Sequence, residues 1–165
     1  MKNQKKILDK CKSIKIIFSD VDGVLTDGGM YYSSNGESLK KFNTKDGMGV
    51  ERLRNIGIET ILITKENSRI SKKRAQKIKS KIYLNVKNKE LLIQKIMKQK
   101  KIHIDEIAYI GDDVNDLGAI KLAGVSASPS DAIKEIKTFV DYVCNFSGGN
   151  GAFREFADLI ITSKK

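Results

Sequence analysis

Asp20-Val21-Asp22-Gly23-Val24 sets two carboxylates two positions apart, just past the apolar run Ile14–Ser19. Gly111-Asp112-Asp113, with Asp116 three positions on, follows a second apolar run, Ile107–Ile110. Carboxylates crowded at the ends of buried strands are costly unless a cation or a proton compensates them. Oxygen ligands with no Cys or His among them select a hard ion, here Mg²⁺. Thr64 ends a further apolar run, Ile58–Thr64, and Lys89 opens a helical pattern. A hydroxyl and an ammonium in those places can hold phosphoryl oxygens and offset their charge. Taken singly, Thr64 reads as a helix cap and Lys89 as a solvated helix residue; beside the two acidic clusters they read as parts of one site.

The elements that would position these groups alternate along the chain. Strand patterns fall at Ile14–Ser19, Ile58–Thr64, Ile82–Val86, Ile107–Ile110 and Gly124–Ala127. Helical patterns fall at Gly47–Asn55, Ser68–Ser80, Asn88–Gln99, Asn115–Leu122 and Ser130–Phe139, and the Gly-rich segment Phe146–Phe156 ends as a helix. Ser68 and Ser130 are expected N-caps, and Leu91, Leu92, Ile96 and Met97 the inward face of their helix. Met30–Tyr32 and Lys40–Phe42 around Ser34-Asn35-Gly36 predict a β-hairpin within about 28–43. The expected fold class is α/β: a Rossmann-like parallel sheet with helices on both faces, a small hairpin insertion and no cap domain. Ligands in such folds bind at the carboxyl ends of the strands. Asp20, Thr64 and Asp112 all lie there.

The chain has 165 residues, 40% of them hydrophobic, and a formal net charge of +11. That length predicts a single domain over 1–165, with 1–12 frayed. No apolar run approaches the roughly 20 residues of a membrane span. The basic N-terminus has no apolar stretch of the signal-peptide kind. Cys11 and Cys144 lie far apart with no metal-ligand spacing around them, so reduced thiols and a cytoplasmic location are expected. The lysines read either as plain solvated helix faces or as a basic surface that attracts an anionic small substrate. Without aromatic interleaving, no nucleic-acid partner is expected, and no membrane partner.

The order Asp20-x-Asp22-Gly23-Val24, Thr64, Lys89, Gly111-Asp112-Asp113-x-x-Asp116 resembles the haloacid dehalogenase superfamily. The resemblance implies that Asp20 is a phosphoryl-accepting nucleophile and Asp22 the general acid and base. It further implies Mg²⁺ held by Asp20, the backbone carbonyl of Asp22 and Asp112, with Asp113 and Asp116 in support. The intervals from Asp22 to Thr64 and from Thr64 to Lys89 leave no room for a cap domain, so the resemblance is to the capless subclass.

It becomes closer with Asp20–Asp27, Gly28–Tyr32, Lys41–Gly47 and Gly148–Glu155, which together resemble the 3-deoxy-D-manno-octulosonate 8-phosphate phosphatases. Relatives acting on KDN and N-acylneuraminate 9-phosphates are similar in outline. Both imply a sugar acid phosphate as substrate and a homotetramer whose neighbouring subunits complete each site. Glu66 resembles the nine-carbon group and, with Lys77, tilts the expectation toward it. Arg74, Lys77, Asn43 and Thr44 match substrate-side positions, and Lys65 stands where Gly is usual. The expected function is therefore a Mg²⁺-dependent phosphatase of a 3-deoxy-2-keto sugar acid phosphate. The alternative is a catalytically weak assembly or regulatory domain of the same sugar-nucleotide pathway. A phospho-accepting receiver domain fits worse, because Thr64 rather than an Asp follows Ile58–Ile63.

Overall fold

The computed structural model describes residues 2–165. In chain order the elements are α1 Lys2–Cys11, β1 Ile16–Ser19, β2 Tyr31–Ser33, β3 Gly36–Leu39, α2 Thr44–Asn55, β4 Glu59–Ile63, α3 Arg69–Ile78 and β5 Lys81–Tyr83. They continue with α4 Lys89–Lys100, β6 Ile107–Ile110, α5 Leu117–Leu122, β7 Val125–Ser128, α6 Lys134–Phe139, β8 Tyr142–Val143 and α7 Ala152–Ser163. Among the described residues, the sheet order is β5-β4-β1-β6-β7-β8 with every pairing parallel, and β2 and β3 form a separate antiparallel ribbon. The expected α/β sheet with a hairpin and no cap domain is the fold found.

Strand side chains alternate between two cores, as a period of two requires. Ile17 of β1, Leu62 of β4 and Ile110 of β6 pack with Val50, Leu53, Phe153 and Phe156 of α2 and α7. Phe18, Ile61, Ile63 and Tyr109 face the opposite layer, with Ile93 and Ile96 of α4 and Ile136 of α6. With both faces covered, β1 and β6 read as continuous buried runs rather than as alternating ones. Strand β1 lies between β4 and β6, so three central strand ends open at one edge. Among the described residues no helix is long and apolar enough to cross a membrane.

Several elements differ from the sequence expectation. The N-terminal segment expected to fray is helix from Lys2; Met1 lies outside the described residues. Ile7 and Cys11 bury one face of α1 against the core containing α7, which anchors a helix that its charge pattern alone does not support. The second hairpin strand is Gly36–Leu39, not Lys40–Phe42, because Ser34-Asn35 forms the turn and Ser33 pairs with Gly36. Helix α2 starts at Thr44, capped by Asn43, whose side chain accepts from Lys45 N. In α4 the buried residues are Lys89, Ile93 and Ile96, with Leu92 and Met97 partly buried against the same core as expected, while Leu91 is 61% exposed. Ser130 caps nothing, and α6 begins only at Lys134. Strand β8 carries no sequence signal of its own and adds to the edge through Ala127 and Ser128. Ser68 does cap α3, accepting from Ser71 N.

The Gly-rich segment before α7 packs against the loop after β1. A Cβ on Gly148 would lie 2.0 Å from the Gly23 carbonyl oxygen, and Gly149 N donates to Val24 O at 2.9 Å. Arg154 pairs with Asp158 at 2.7 Å, so its charge is spent within α7.

Candidate active site

Asp20 follows β1, and its backbone N–H extends the β1–β6 ladder by donating to Ile110 O at 3.0 Å. The carboxylate is buried. Its Oδ1 accepts Val21 N at 2.7 Å and Lys89 Nζ at 2.9 Å. Lys89 reaches it because Asn88 caps α4, accepting from Leu91 N, and so sets Lys89 in the first turn facing the sheet edge. The Lys89 side chain is 1% exposed and also donates to Asp116 Oδ1 at 2.6 Å. Burial pulls the Lys89 pKa down, but Asp20 and Asp116 together outweigh it and hold the ammonium charged.

Asp116 Oδ1 also accepts the Tyr109 hydroxyl at 2.5 Å, and Oδ2 accepts Asp112 N at 3.0 Å and Asp113 N at 3.4 Å. Four donors match the roughly four lone-pair sites of a carboxylate. Asp116 is thus a clamp on the loop that carries Asp112. Asp113 is exposed and caps its own turn through Val114 N at 2.7 Å.

Carboxylate oxygens of Asp20, Asp112 and Asp116 lie within 4.8 Å of one another. Burial first, and the Asp116 charge second, push Asp20 well above the ordinary carboxylate range and Asp112 up to about 7. Asp112 Oδ1 is buried with no hydrogen-bond partner. An orphaned lone pair beside crowded carboxylates fits a hard divalent cation. With Asp116 saturated, Asp20 and Asp112 are the side chains left to hold one. Gly23 permits the approach: its φ is +86°, and a Cβ there would lie 2.1 Å from Asp112 Oδ2.

Asp22 stands on the same loop, less buried than Asp20. Its Oδ2 accepts the Thr64 hydroxyl at 3.4 Å, and its Oδ1 accepts Lys40 Nζ at 2.5 Å. Thr64 N donates to Tyr83 O at 3.0 Å, extending the β4–β5 ladder, and Thr64 Oγ1 accepts Glu66 N at 3.0 Å. Burial pulls the Lys40 pKa down, but bonds to Asp22 and Glu37 more than offset it.

Asp20, Asp22, Thr64 and Asp112 line a cleft of about 310 Å³ at the carboxyl edge of the sheet, with Lys65 and Glu66 on one rim and Asp113 and Asn115 on the other; Lys89 lies buried behind Asp20. Lys65 stands outside the left-handed region, so this loop does not require glycine there. A larger groove of about 460 Å³, beside α1 and β8, gathers no carboxylate cluster. Asp20, Asp22, Thr64, Lys89, Asp112 and Glu66 are therefore brought together. Arg74 and Lys77 are not: they line a separate groove beside α2 with Thr44. Arg74 donates to Asn43 O at 2.8 Å and sits 5.4 Å from the Phe42 ring centre. Asn43 caps α2 and donates to Gly149 O.

Three residues join the site without having been singled out: Lys40, Glu37 and Tyr109. A tyrosine inside an apolar strand was the one available signal, since a buried phenol needs a hydrogen-bond partner. The lysine and glutamate are indistinguishable by sequence from the solvated charges around them.

The profile of the haloacid dehalogenase-like hydrolases matches residues 50–155. The 3-deoxy-D-manno-octulosonate 8-phosphate phosphatase of Haemophilus influenzae is 38% identical over 156 residues, which cover 94% of this chain and 87% of that protein. The cobalt-bound structure of the Haemophilus influenzae phosphatase superposes with a TM-score of 0.91 at 37% identity, over 94% of this chain and 91% of that one. The Moraxella catarrhalis phosphatase, solved with magnesium, phosphate and KDO, gives a TM-score of 0.93 at 35% identity, over 97% and 92%.

Proposed function

The chain belongs to the haloacid dehalogenase-like hydrolases, and from that premise we propose that it is a Mg²⁺-dependent phosphatase of 3-deoxy-D-manno-octulosonate 8-phosphate. The observation that carries the reading is the convergence of Asp20, Asp22, Thr64 and Asp112 on one cleft, with the buried Lys89 ammonium paired to Asp20 behind it.

Asp20 and Asp112 would hold the ion, with the Asp22 carbonyl as the third protein ligand. When bound, Mg²⁺ offsets the phosphate charge and lowers its repulsion for an attacking carboxylate. Lys89 and Val21 N fix Asp20 Oδ1 and leave the other oxygen for chemistry. In the first half-reaction a carboxylate oxygen of Asp20 forms a bond to phosphorus. The ester P–O bond breaks, and Asp22 gives its proton to the departing sugar alkoxide. In the second, Asp22 takes a proton from water as that water attacks phosphorus. The aspartyl P–O bond breaks, and inorganic phosphate leaves with Asp20 restored. The Thr64 hydroxyl, which lines the cleft, would bond a phosphoryl oxygen.

Glu66 supports a second reading, a nine-carbon 9-phosphate, because it lines the cleft where it can accept bonds from sugar hydroxyls. The free buried thiols and a phosphorylated sugar substrate fit a cytoplasmic enzyme. The exposed hairpin residues Met30, Tyr31, Tyr32 and Leu39 fit a homotetramer in which Arg74 and Lys77 serve a neighbour's cleft.

Phosphate release with Mg²⁺ should be measured from octulosonate 8-phosphate, KDN 9-phosphate, N-acetylneuraminate 9-phosphate and hexose phosphates. The eight-carbon substrate is expected to give the highest kcat/KM, and Asp20→Asn to abolish its turnover. Highest kcat/KM with a nine-carbon substrate would support the Glu66 reading. No turnover of any sugar acid by folded, Mg²⁺-loaded protein would favour an assembly or regulatory domain.

A further inference from the structure

We propose that Lys40 is a positioning residue for Asp22, fixed in turn by Glu37 and Ser68, so that the hairpin holds the proton-transfer carboxylate in place. The proposal rests on the reading of Asp22 as proton donor and acceptor.

Lys40 directly follows β3. Its side chain is 1% exposed, while that of Asp22 is 26% exposed, so the cation is sunk behind the carboxylate. Lysine is strongly hydrated on a flexible stem and is almost never fully buried unless paired. Here it is paired twice, with Asp22 Oδ1 at 2.5 Å and Glu37 Oε1 at 2.8 Å. The other Glu37 oxygen accepts the Ser68 hydroxyl at 2.5 Å. Ser68 is itself fixed as the N-cap of α3, accepting Ser71 N at 3.2 Å. The result is a continuous strut from the start of α3, through the hairpin, to the carboxylate.

Asp22 lies in a turn, outside any regular element. Apart from Lys40, its side chain has only the long Thr64 contact at 3.4 Å among the described residues. Lys40 thus supplies the strong half of the grip that aims Asp22. Direct binding of substrate phosphate by Lys40 fits less well, since its ammonium is buried between two carboxylates and it is not among the residues lining the cleft.

The test compares Lys40→Met, Lys40→Arg, Asp22→Asn and the Lys40→Met/Asp22→Asn double variant, with Mg²⁺ and octulosonate 8-phosphate or p-nitrophenyl phosphate. Lys40→Met is expected to lower kcat by about 100-fold, the scale set by misaiming a reacting group. KM should stay within about threefold, because ground-state binding is untouched. Lys40→Arg should recover most of kcat. In the double variant, Lys40→Met should add less than about twofold to the loss from Asp22→Asn, since both act through one carboxylate. Near-normal kcat in Lys40→Met, or losses that multiply in the double variant, would overturn the proposal. Near-normal turnover by Asp22→Asn would instead remove the reading beneath it. If Lys40→Met does not fold, Glu37→Gln keeps the ammonium and loosens the strut. A fall in kcat at steady KM would then support the proposal, and an unchanged kcat would overturn it.

Discussion

At the residue scale, the centre is organised by Asp116, whose side chain makes no bond to any group that would react. It joins the Lys89 ammonium, the Tyr109 hydroxyl and the backbone of the Asp112 loop through one buried carboxylate. Asparagine in its place has a single acceptor oxygen and no charge for Lys89. Removing one partner of a buried ion pair costs about 3–5 kcal/mol. Asp116→Asn should therefore lower unfolding free energy by about that amount in denaturant titrations. It should also weaken Mg²⁺ binding by roughly 10–100-fold, as the loss of a group orienting a ligand does. Calorimetric titration with Mg²⁺ measures the second effect. Wild-type Mg²⁺ affinity in a folded Asp116→Asn protein would mean that the Asp112 loop holds its shape unaided. Asp116 was legible as part of an acidic motif, but its role was not. Spacing reveals five carboxylates in two acidic motifs, and only geometry reveals which has its lone pairs filled.

At the element scale, the strands were the most legible features and the helix starts less so. Ile107–Ile110 reads correctly to the residue because a strand buried on both faces is a short unbroken apolar run. Leu91 misleads because the true inward stripe of α4 begins with a lysine, Lys89, whose burial only its acidic partners can support. Helix α2 begins early because Asn43 caps it, and Asp46 in its first turn ties it to α7. Asp46 Oδ1 accepts Arg154 N at 3.0 Å, while Oδ2 is buried without a partner. Burial pushes Asp46 up to about 6, against opposing bonds from Arg154 and Gly151 and the charge of Arg74. The native state therefore holds this proton more tightly than the unfolded chain. Its contribution to stability is complete below about pH 4 and is lost as pH rises through about 6, a change of roughly 3 kcal/mol. Asp46→Asn imitates the protonated form and cannot ionise. Its stability relative to wild type should improve by roughly 3 kcal/mol between pH 4 and pH 8, read from urea unfolding at each pH. A difference that stays constant with pH would show that Asp46 remains ionised throughout.

At the scale of the whole molecule, an open cleft and an apolar ribbon call for the same remedy. A two-stranded hairpin is marginally stable alone in water. This one nevertheless exposes Met30, Tyr31, Tyr32 and Leu39 by 51%, 48%, 65% and 64%. Its base is fixed to the body through the Thr26–Phe42 bridge and the buried Lys40, and the exposed apolar side chains sit toward that anchored end, where Tyr31 pairs with Leu39, rather than at the polar Ser34-Asn35 tip. The cleft is lined on its rims by Glu66 and Asn115 but gathers no arginine, although a sugar carboxylate would favour one. The cations suited to that task, Arg74 and Lys77, border another groove of the same chain. Association through hairpins would cover the apolar residues and could bring one chain's Arg74 to another's cleft. Under the proposed assembly the parent protein should sediment as a tetramer and the Tyr31→Ser/Tyr32→Ser/Leu39→Ser variant as a monomer. The variant's kcat/KM should fall far more for octulosonate 8-phosphate than for p-nitrophenyl phosphate, which has no carboxylate for Arg74 to hold. Equal losses for both substrates would mean that assembly sets only the shape of the cleft. A parent protein that is monomeric at working concentration, with full selectivity for the sugar acid, would place recognition wholly within one chain, on Lys65, Glu66 and Asn115.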